Sequence, residues 1–537
     1  MNSSFFGYRV LFLLFFGAIF FGCYASRGWA ASYYVDSVAG SDSNSGADVA
    51  PFRTVNKVNG LTFHAGDSIF FKAGGVWGEV LVADSGSSAG YVSYGAYGAG
   101  NKPRLLAFQA IGKSYVKVNG LEFRNGGNYQ AVRVADGSHH IAVNNCSIFA
   151  DTTNTANAAM YIRDSHHIEV TNSELSNWNL NHQGDALILQ KNTQYCLIEN
   201  NKIGSATHYA LTLQGSDSIV PAAEAKYNIL RNNVINNSEG ALLELQSNSN
   251  YNLVEGNVIT GGKSVSYNVN LPRSFKNVSK GNIIRFNIVK DNPAATSSGL
   301  GTEVYAYRTD PPNIATQNHV YNNVITNITK DPLVIATNGD SGASVHDNFF
   351  KNNIIYNNGS SHQLSLMKHS TIYDNFFSNN LFFKAGVNSV LRVGGDLFSV
   401  LDLQKIDGAH FSGNLQEDPK LDGKFAPLAG SPCIDAGDFL TRDTSQGGAG
   451  NTLRVADSGY FFDGFGIVPG DTIRVGDATA TIVSIDRSTH VLTLAESITW
   501  KGGAPVSLIY SGAKPDIGIL EYRTARPPSP LNLQLEK

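Results

Sequence analysis

One phrase recurs through the middle of this chain: an apolar residue, one further residue, Asn-Asn or Gly-Asn, then alternating apolar residues. Its copies are VNGLEF (118–123), VNNCSIF (143–149), VTNSEL (170–175), IENNKI (198–203) and LRNNVI (230–235). They continue as VEGNVI (254–259), IRFNIV (284–289), VYNNVI (320–325), FKNNII (350–355), FSNNLF (377–382) and FSGNLQ (411–416). Taking Gly120, Asn145, Asn172, Asn200, Asn232, Gly256, Phe286, Asn322, Asn352, Asn379 and Gly413 as equivalent, the steps run from 24 to 36 residues. Self-similarity at that period marks a solenoid. Alternation with period two makes each copy a strand, and each unit holds a second alternating segment, such as ALILQ (186–190), ALTLQ (210–214) or LLELQ (242–246). Short strands in coils too small for a crossover helix describe an all-β parallel β-helix of about eleven coils. A β-propeller would need four antiparallel strands in roughly 40 residues. Asn at each corner tolerates a left-handed backbone, and its stacked amides can bond the coils above and below.

Composition agrees with that reading and excludes others. Of 52 Asn, 44 lie between Asn119 and Asn388. A net charge of −4 with 16% charged residues lacks the basic footprint of a nucleic-acid binder. With 42% hydrophobic residues, the chain is not a disordered one.

The N-terminus reads as an address. Arg9 precedes the apolar run Val10–Gly22, and Gly28-Trp29-Ala30 offers small residues for cleavage after Ala30. The run is short for a membrane span, so the expectation is a secreted, periplasmic or cell-surface monomer without a membrane span. Cys23 after Gly22 offers a second reading, a lipoprotein anchor. The three later cysteines, Cys146, Cys196 and Cys433, are an odd set. Cys146 and Cys196 fall two coils apart, roughly 9.6 Å, beyond disulfide reach. Both read as buried hydrophobes.

Two stretches outside the coils carry a resemblance. The start, YYVDSVAGSDSNSGADVAPFRTVNKVNGLTFHAGDSIFFKAGGVWGE (33–79), holds a Gly/Asp/Ser loop, Pro-Phe-x-Thr and Ala-Gly-Asp-x-Ile. Near the end stand Ser431-Pro432-Cys433-Ile434-Asp435-Ala436-Gly437 and Pro515-Asp516-Ile517-Gly518-Ile519-Leu520-Glu521-Tyr522. With the coils, these resemble the N-terminal cap and divided terminal segment of secreted right-handed parallel β-helix proteins of the pectate-lyase-like superfamily. The resemblance implies a right-handed solenoid that binds extended polysaccharide along one face. It is specific for fold and weak for reaction. Five segments follow: a leader (1–30), a cap with the first coils (31–100), the β-helix (101–437), an inserted β-module (438–514) and a terminal segment (515–537). Within the module, TLRV (452–455), DTIRVG (471–476), ATATIVSI (478–485), HVLTLAE (490–496) and PVSLIY (505–510) read as antiparallel strands, with a turn at Asp486-Arg487-Ser488-Thr489. Its expected role is to cover the open edge of the last coil. Phe461, Phe462, Phe465 and Trp500 could be sugar-stacking rings or its core.

Aligning the second strands by Gln190, Gln214 and Gln246 sends their Leu residues inward. Ile188, Thr212 and Glu244 then face outward beside the three Gln. Earlier coils add Arg133, Tyr161 and Arg163, and TEVYAYR (302–308) adds Glu303, Tyr305 and Tyr307, with Arg308 beside them. Asp185 precedes one strand, and His208 precedes the next, about one coil from Asp185 and from Glu244. An imidazole among carboxylates suits proton transfer. The catalytic candidates are therefore His208, Glu244, Asp185 and Glu303. Turn-capping roles for His208 and Asp185 compete. His139-His140 and His166-His167 sit at equivalent places in successive coils, where a ladder role outweighs a metal site. The loop Ser41–Gly46 reads as a turn, since it lacks the bidentate acid of a calcium loop.

Three functions remain open on a polysaccharide partner. A lyase needs a base at C5 and a neutraliser for the uronate carboxylate. The resemblance implies Lys or Arg with calcium, for which Arg163, Lys191, Arg273 and Arg308 are candidates. No cluster of Asp in successive coils supports the calcium, so the metal is unknown. A glycoside hydrolase, or a related epimerase, would use Glu244 and Glu303, roughly 9.6 Å apart. A non-catalytic adhesin or scaffold would use the aromatics. The lyase leads.

Overall fold

The computed structural model describes residues 30–522, except 126, 128, 152–155, 178–183, 216–222, 263–264, 272–277, 293–299, 307–312, 338–342 and 361. For residues 265–271, 292 and 300–302 only the backbone is described. Three parallel sheets of 14, 11 and 13 strands run the length of a solenoid, the last strand of the third being antiparallel. One coil shows the path: Leu197–Glu199 in the first sheet, Lys202–Ala206 in the second, Leu211–Gln214 in the third, then Ile229–Arg231 back in the first. Alternation decides what faces inward. Ile198, Ile203, Leu211 and Leu213 are fully buried in one continuous core that includes the equivalent residues of neighbouring coils. Among the described residues no helix is long and apolar enough to cross a membrane.

All eleven aligned corner positions, from Gly120 to Gly413, have positive φ, between 51° and 72°. The corner device differs from the expected one in a single respect: it divides its two tasks between neighbours. The left-handed residue turns the chain, and the residue after it forms the ladder. Asn201, Asn233, Asn257, Asn287, Asn323, Asn353, Asn380 and Asn414 are joined amide to amide by bonds of 2.9–3.1 Å. A second ladder closes the other end of the same strands. Asn228, Asn252, Asn282, Asn318, Asn348 and Asn375 bond at 2.9–3.1 Å, again each after a left-handed residue. Cys146 and Cys196 are free and buried. Their N–H groups donate to Ser173 and Asn228 at the N-terminal ends of the two ladders.

The inserted module is not a lid on the last coil. Its six strands, in the order Thr441–Arg442, Pro505–Leu508, Thr472–Val475, Ala478–Asp486, Val491–Lys501 and Gly447–Arg454, lie against the outer side of the first sheet. There Leu197, Ile229, Leu253, Ile283 and Tyr321 share a core with Leu453, Phe461, Ile473 and Val506. One outward row on that sheet is apolar, so it requires a cover. A buried Arg285 pins the contact: it donates to both Asp471 oxygens at 2.6 and 2.8 Å, to Glu255 at 2.8 Å and to the Tyr321 hydroxyl at 2.9 Å. Phe461 and Phe462 are core residues, at 0% and 2% exposure, and Phe465 and Trp500 pack against that core. None of these rings lies bare for sugar stacking. The C-terminal end of the core is closed instead by the helix Val400–Ile406, which lies between Asp396–Phe398 and the last first-sheet strand, Phe411–Ser412, and packs Val400 and Leu403 against the main core.

The two terminal half-segments meet as expected. Ile517 N–H donates to Cys433 O at 3.0 Å, and Asp435 N–H to Asp516 at 2.8 Å. The joined segment covers outward apolar residues of the second sheet, Val258, Ile288, Val324, Ile354 and Leu381. Corner residues Asn322, Asn352 and Asn379 bond to its backbone at 2.6–3.0 Å. At the other end, Asp42 binds the N–H groups of Arg53 and Thr54 and the Thr54 hydroxyl, which makes its loop a closed turn.

Candidate active site on the third sheet

The third sheet carries neither the module nor the terminal segment. Its outward row runs, strand by strand, through Arg133, Tyr161, Ile188, Thr212, Glu244, Asn268, Glu303, Val334, Ser365 and Arg392. A parallel row holds Arg163, Gln190, Gln214, Gln246, Asn270, Tyr305 and Ala336. The alignment by terminal Gln therefore gives the register of this face. Tyr307, Arg308 and Arg273 lie outside the described residues.

Asp185 and His208 form the most organised part of it. One Asp185 oxygen lies 2.7 Å from His208 Nδ1 and also accepts the Tyr209 N–H; the other accepts the Thr212 hydroxyl at 2.7 Å. A carboxylate can only accept, so the proton sits on Nδ1 and Nε2 is the basic nitrogen. The Asp185 side chain is 5% exposed and that of His208 30%, so the acid is sheltered while the imidazole meets solvent. Tyr209 stacks on the imidazole with centroids 3.6 Å apart, and Ser238 holds the His208 carbonyl at 2.6 Å. The sequence reading missed the Tyr209 contact, although the two residues are adjacent.

Glu244 is fully buried and accepts from Gln246 at 2.5 Å. Glu303 stands two strands further on, in register through Asn268. Burial pushes its carboxyl up to about 7, so it titrates across neutral pH. At the usual strand spacing the two acids are roughly 9.6 Å apart. The amides of Gln190 and Gln214 bond at 2.8 Å, and the Tyr161 hydroxyl donates to Gln190. Arg163 pairs with Asp164 at 3.1 Å, and Lys191 is a left-handed residue just beyond the strand of Gln190. A polar group further along the same face was not read from the sequence. Asp331 bonds His362 at 2.7 Å and Arg392 at 2.8 Å, and Arg392 also donates to Ser365 at 2.6 Å. Burial pushes the Asp331 carboxyl up, but the His362 bond and the nearby charges hold it below its ordinary value.

The paired histidines lie on the first sheet, away from this face. His139 stacks on His166 and His140 on His167, with centroids 5.0 and 4.9 Å apart and planes within 2°. Parallel rings aim their lone pairs side by side, not at a common point. Burial lowers the affinity of His140, His166 and His167 for a second proton. They continue a stack from Tyr115 through Tyr195 and Tyr227 to Tyr251. Among the described residues no group of three or more His, Cys, Asp or Glu is arranged to hold a metal ion.

No family model and no curated protein matches the chain. Solved structures do. The PL6 family polysaccharide lyase Pedsa3628 from Pseudopedobacter saltans is 15% identical over 70% of this chain and 96% of its own, with a TM-score of 0.46. The pectate lyase Pel9A is 14% identical over 92% and 96%, with a TM-score of 0.41. The GH136 lacto-N-biosidase from Eubacterium ramulus is 12% identical over 72% and 67%, with a TM-score of 0.37. In its own coordinates, with three parallel sheets wound into coils and Asn ladders at the corners, the chain is a parallel β-helix.

Proposed function

We propose that this protein is an exported polysaccharide lyase that cleaves an acidic polysaccharide by β-elimination on the third sheet. The observation that carries the reading is the 2.7 Å contact of Asp185 with His208 Nδ1, which leaves Nε2 as a fixed base in a partly exposed imidazole. In the reaction Nε2 takes the C5 proton of a uronate, the C–H electron pair becomes the C4=C5 bond, and the C4–O bond breaks. The departing oxygen then takes up a proton. Asp185 is a positioning residue: it orients the ring and offsets the charge that forms on it. Removing the C5 proton places negative charge on the uronate carboxyl. The amides of Gln214 and Gln246, in the adjacent row, are suited to bind it. Arg133, Tyr161 and Arg163 would hold sugars further along the chain. The expectation that residues 1–30 direct export belongs to the same proposal.

A second reading rests on Glu244 and Glu303. One acid raised to about 7, about 9.6 Å from another carboxyl, stands at the upper limit of an inverting glycosidase, about 6.5–9.5 Å. The test is a panel of uronic-acid and neutral polysaccharides, followed by ultraviolet absorbance of unsaturated products and by reducing ends. Absorbance growth that His208→Gln abolishes and Asp185→Asn lowers sharply supports the lyase. Reducing ends without absorbance, lost in Glu303→Gln, support the hydrolase. Silence in both channels refutes both enzymes and leaves a binding scaffold.

A further inference from the structure

The second sheet carries a recess built from residues that the elimination chemistry does not use. Its outward row reads Arg124, Phe149, Ser176, Gly204 and Asn236 on successive strands. Two small residues between larger ones leave a hollow of 310 Å³, walled also by Asp151, Glu174 and Lys202. That is the low end of ligand sites, which span about 300–1,000 Å³. The backbone is adapted here. Register slips between Ser176 and Asn177, opposite a bulge where Ser205 has φ 50°. A Cβ on Gly204 would stand 1.8 Å from the Asn236 carbonyl oxygen, so only glycine fits.

An independent observation points to an occupant. Ser176 lines the recess, and its Oγ is buried with no hydrogen-bond partner, in a residue 6% exposed. Buried hydroxyls are nearly always bonded. Both wall cations are paired: Arg124 with Glu122 at 3.1 Å and Lys202 with Glu174 at 3.7 Å. The wall charges balance, Arg124 and Lys202 against Asp151 and Glu174, so the recess offers no excess of positive charge to a ligand carboxylate. Carboxylates, amides and a hydroxyl around an apolar wall at Phe149 suit a ligand rich in hydroxyls.

We infer that this recess binds a neutral sugar unit. It stands on the same coils as the candidate site, since Asn177 Nδ2 donates to the Asp185 carbonyl at 3.0 Å. The inference holds whether or not elimination takes place on the third sheet.

Titration calorimetry on the full chain with cellotetraose, mannotetraose and maltotetraose, and with tetragalacturonate for comparison, tests it. At least one neutral probe should bind. Ser176→Leu, which narrows the recess, and Ser176→Ala, which removes only the hydroxyl, should weaken that probe, the former at least about tenfold. His208→Gln should leave its affinity unchanged. The inference is overturned if no neutral probe binds, if both Ser176 variants bind as the parent does, or if His208→Gln removes binding. Tetragalacturonate binding more tightly than every neutral probe, and lost in Ser176→Leu, overturns the assignment to neutral sugars. Ser176→Ala changes no packing volume upward, so its result stands even if Ser176→Leu fails to fold.

Discussion

Neighbouring asparagines in the Asn-Asn corner should differ sharply in what they contribute. Asn233 is a rung: its Oδ1 accepts from Asn201 N–H at 2.9 Å and from Asn201 Nδ2 at 3.1 Å. Its Nδ2 donates to Ile198 O at 2.9 Å and Asn257 Oδ1 at 3.0 Å. Asn233→Ala removes all four bonds and strands the Asn201 N–H in a region at most 2% exposed, while Ile198 C=O keeps its ladder bond in the first sheet. The stranded group costs about 1–3 kcal/mol and the severed ladder bonds add to it, so the substitution should cost more than about 1 kcal/mol. Asn232, one residue earlier, turns the chain at φ 56°, and its buried Oδ1 has no partner. Gly256 makes the same turn one coil on. Asn232→Gly should therefore stay within about 1 kcal/mol of the parent, the cost being chain entropy. Long repeat arrays need not unfold in two states, so urea unfolding by circular dichroism should be paired with native-state hydrogen exchange at the Asn201 amide. The ladder argument fails if Asn233→Ala lies within about 1 kcal/mol of the parent, or if Asn232→Gly costs as much as Asn233→Ala.

Two further outcomes concern charge. Glu303 titrates at about 7 in the fold against 4.5 for the free group, so the folded state binds its proton more tightly. The stabilisation is complete below pH 4.5 and lost as pH rises through 7. The difference in Tm between the parent and Glu303→Gln should thus change across that window, and a pH-independent difference would refute the burial argument. Asp471→Ala leaves the buried Arg285 guanidinium with Glu255 and Tyr321 alone, a loss of about 3–5 kcal/mol in holding the module to the first sheet. Limited proteolysis should then cut within residues 438–514 faster, and Asp471→Ala with Arg285→Met should recover much of the protection. Equal rates in the parent and Asp471→Ala would count against the clamp.

Local periodicity made the coils legible. One residue in each repeat has to leave the ordinary backbone regions, and Asn or Gly at a constant offset announces it, so the corners and the outward row of the third sheet could be aligned by eye. Even Phe286, which breaks the pattern chemically, turns at φ 56°. The second ladder was readable but unread: Asn228, Asn252, Asn282, Asn318, Asn348 and Asn375 each stand five residues before a rung of the first. The place of the module was harder, because it depends on a contact between Arg285 and Asp471, 186 residues apart. One signal did exist. Leu197, Ile229, Leu253 and Ile283 are apolar at outward positions of the first sheet, and a strand apolar on both faces has something lying on each. At the candidate site, the pairing of Asp185 with His208 followed from coil spacing. The group around Asp331 did not, since Arg392 reaches it from two strands away in the third sheet.

The clamp at Arg285 bears on how the whole molecule comes apart. A bare solenoid behaves as a one-dimensional stack, in which each coil is coupled to its neighbours alone and unravelling can run inward from an end. Here the chain leaves the last coil, returns past the corners of Asn379 and Asn352, fastens at mid-length on Tyr321 and Arg285, and comes back to the corner of Asn322. The C-terminal coils are thereby enclosed in a closed circuit, like a spring whose free end is hooked back to its middle. Fraying from that end has to release the hook first, so the C-terminal half should open as one unit while the N-terminal coils unwind one at a time.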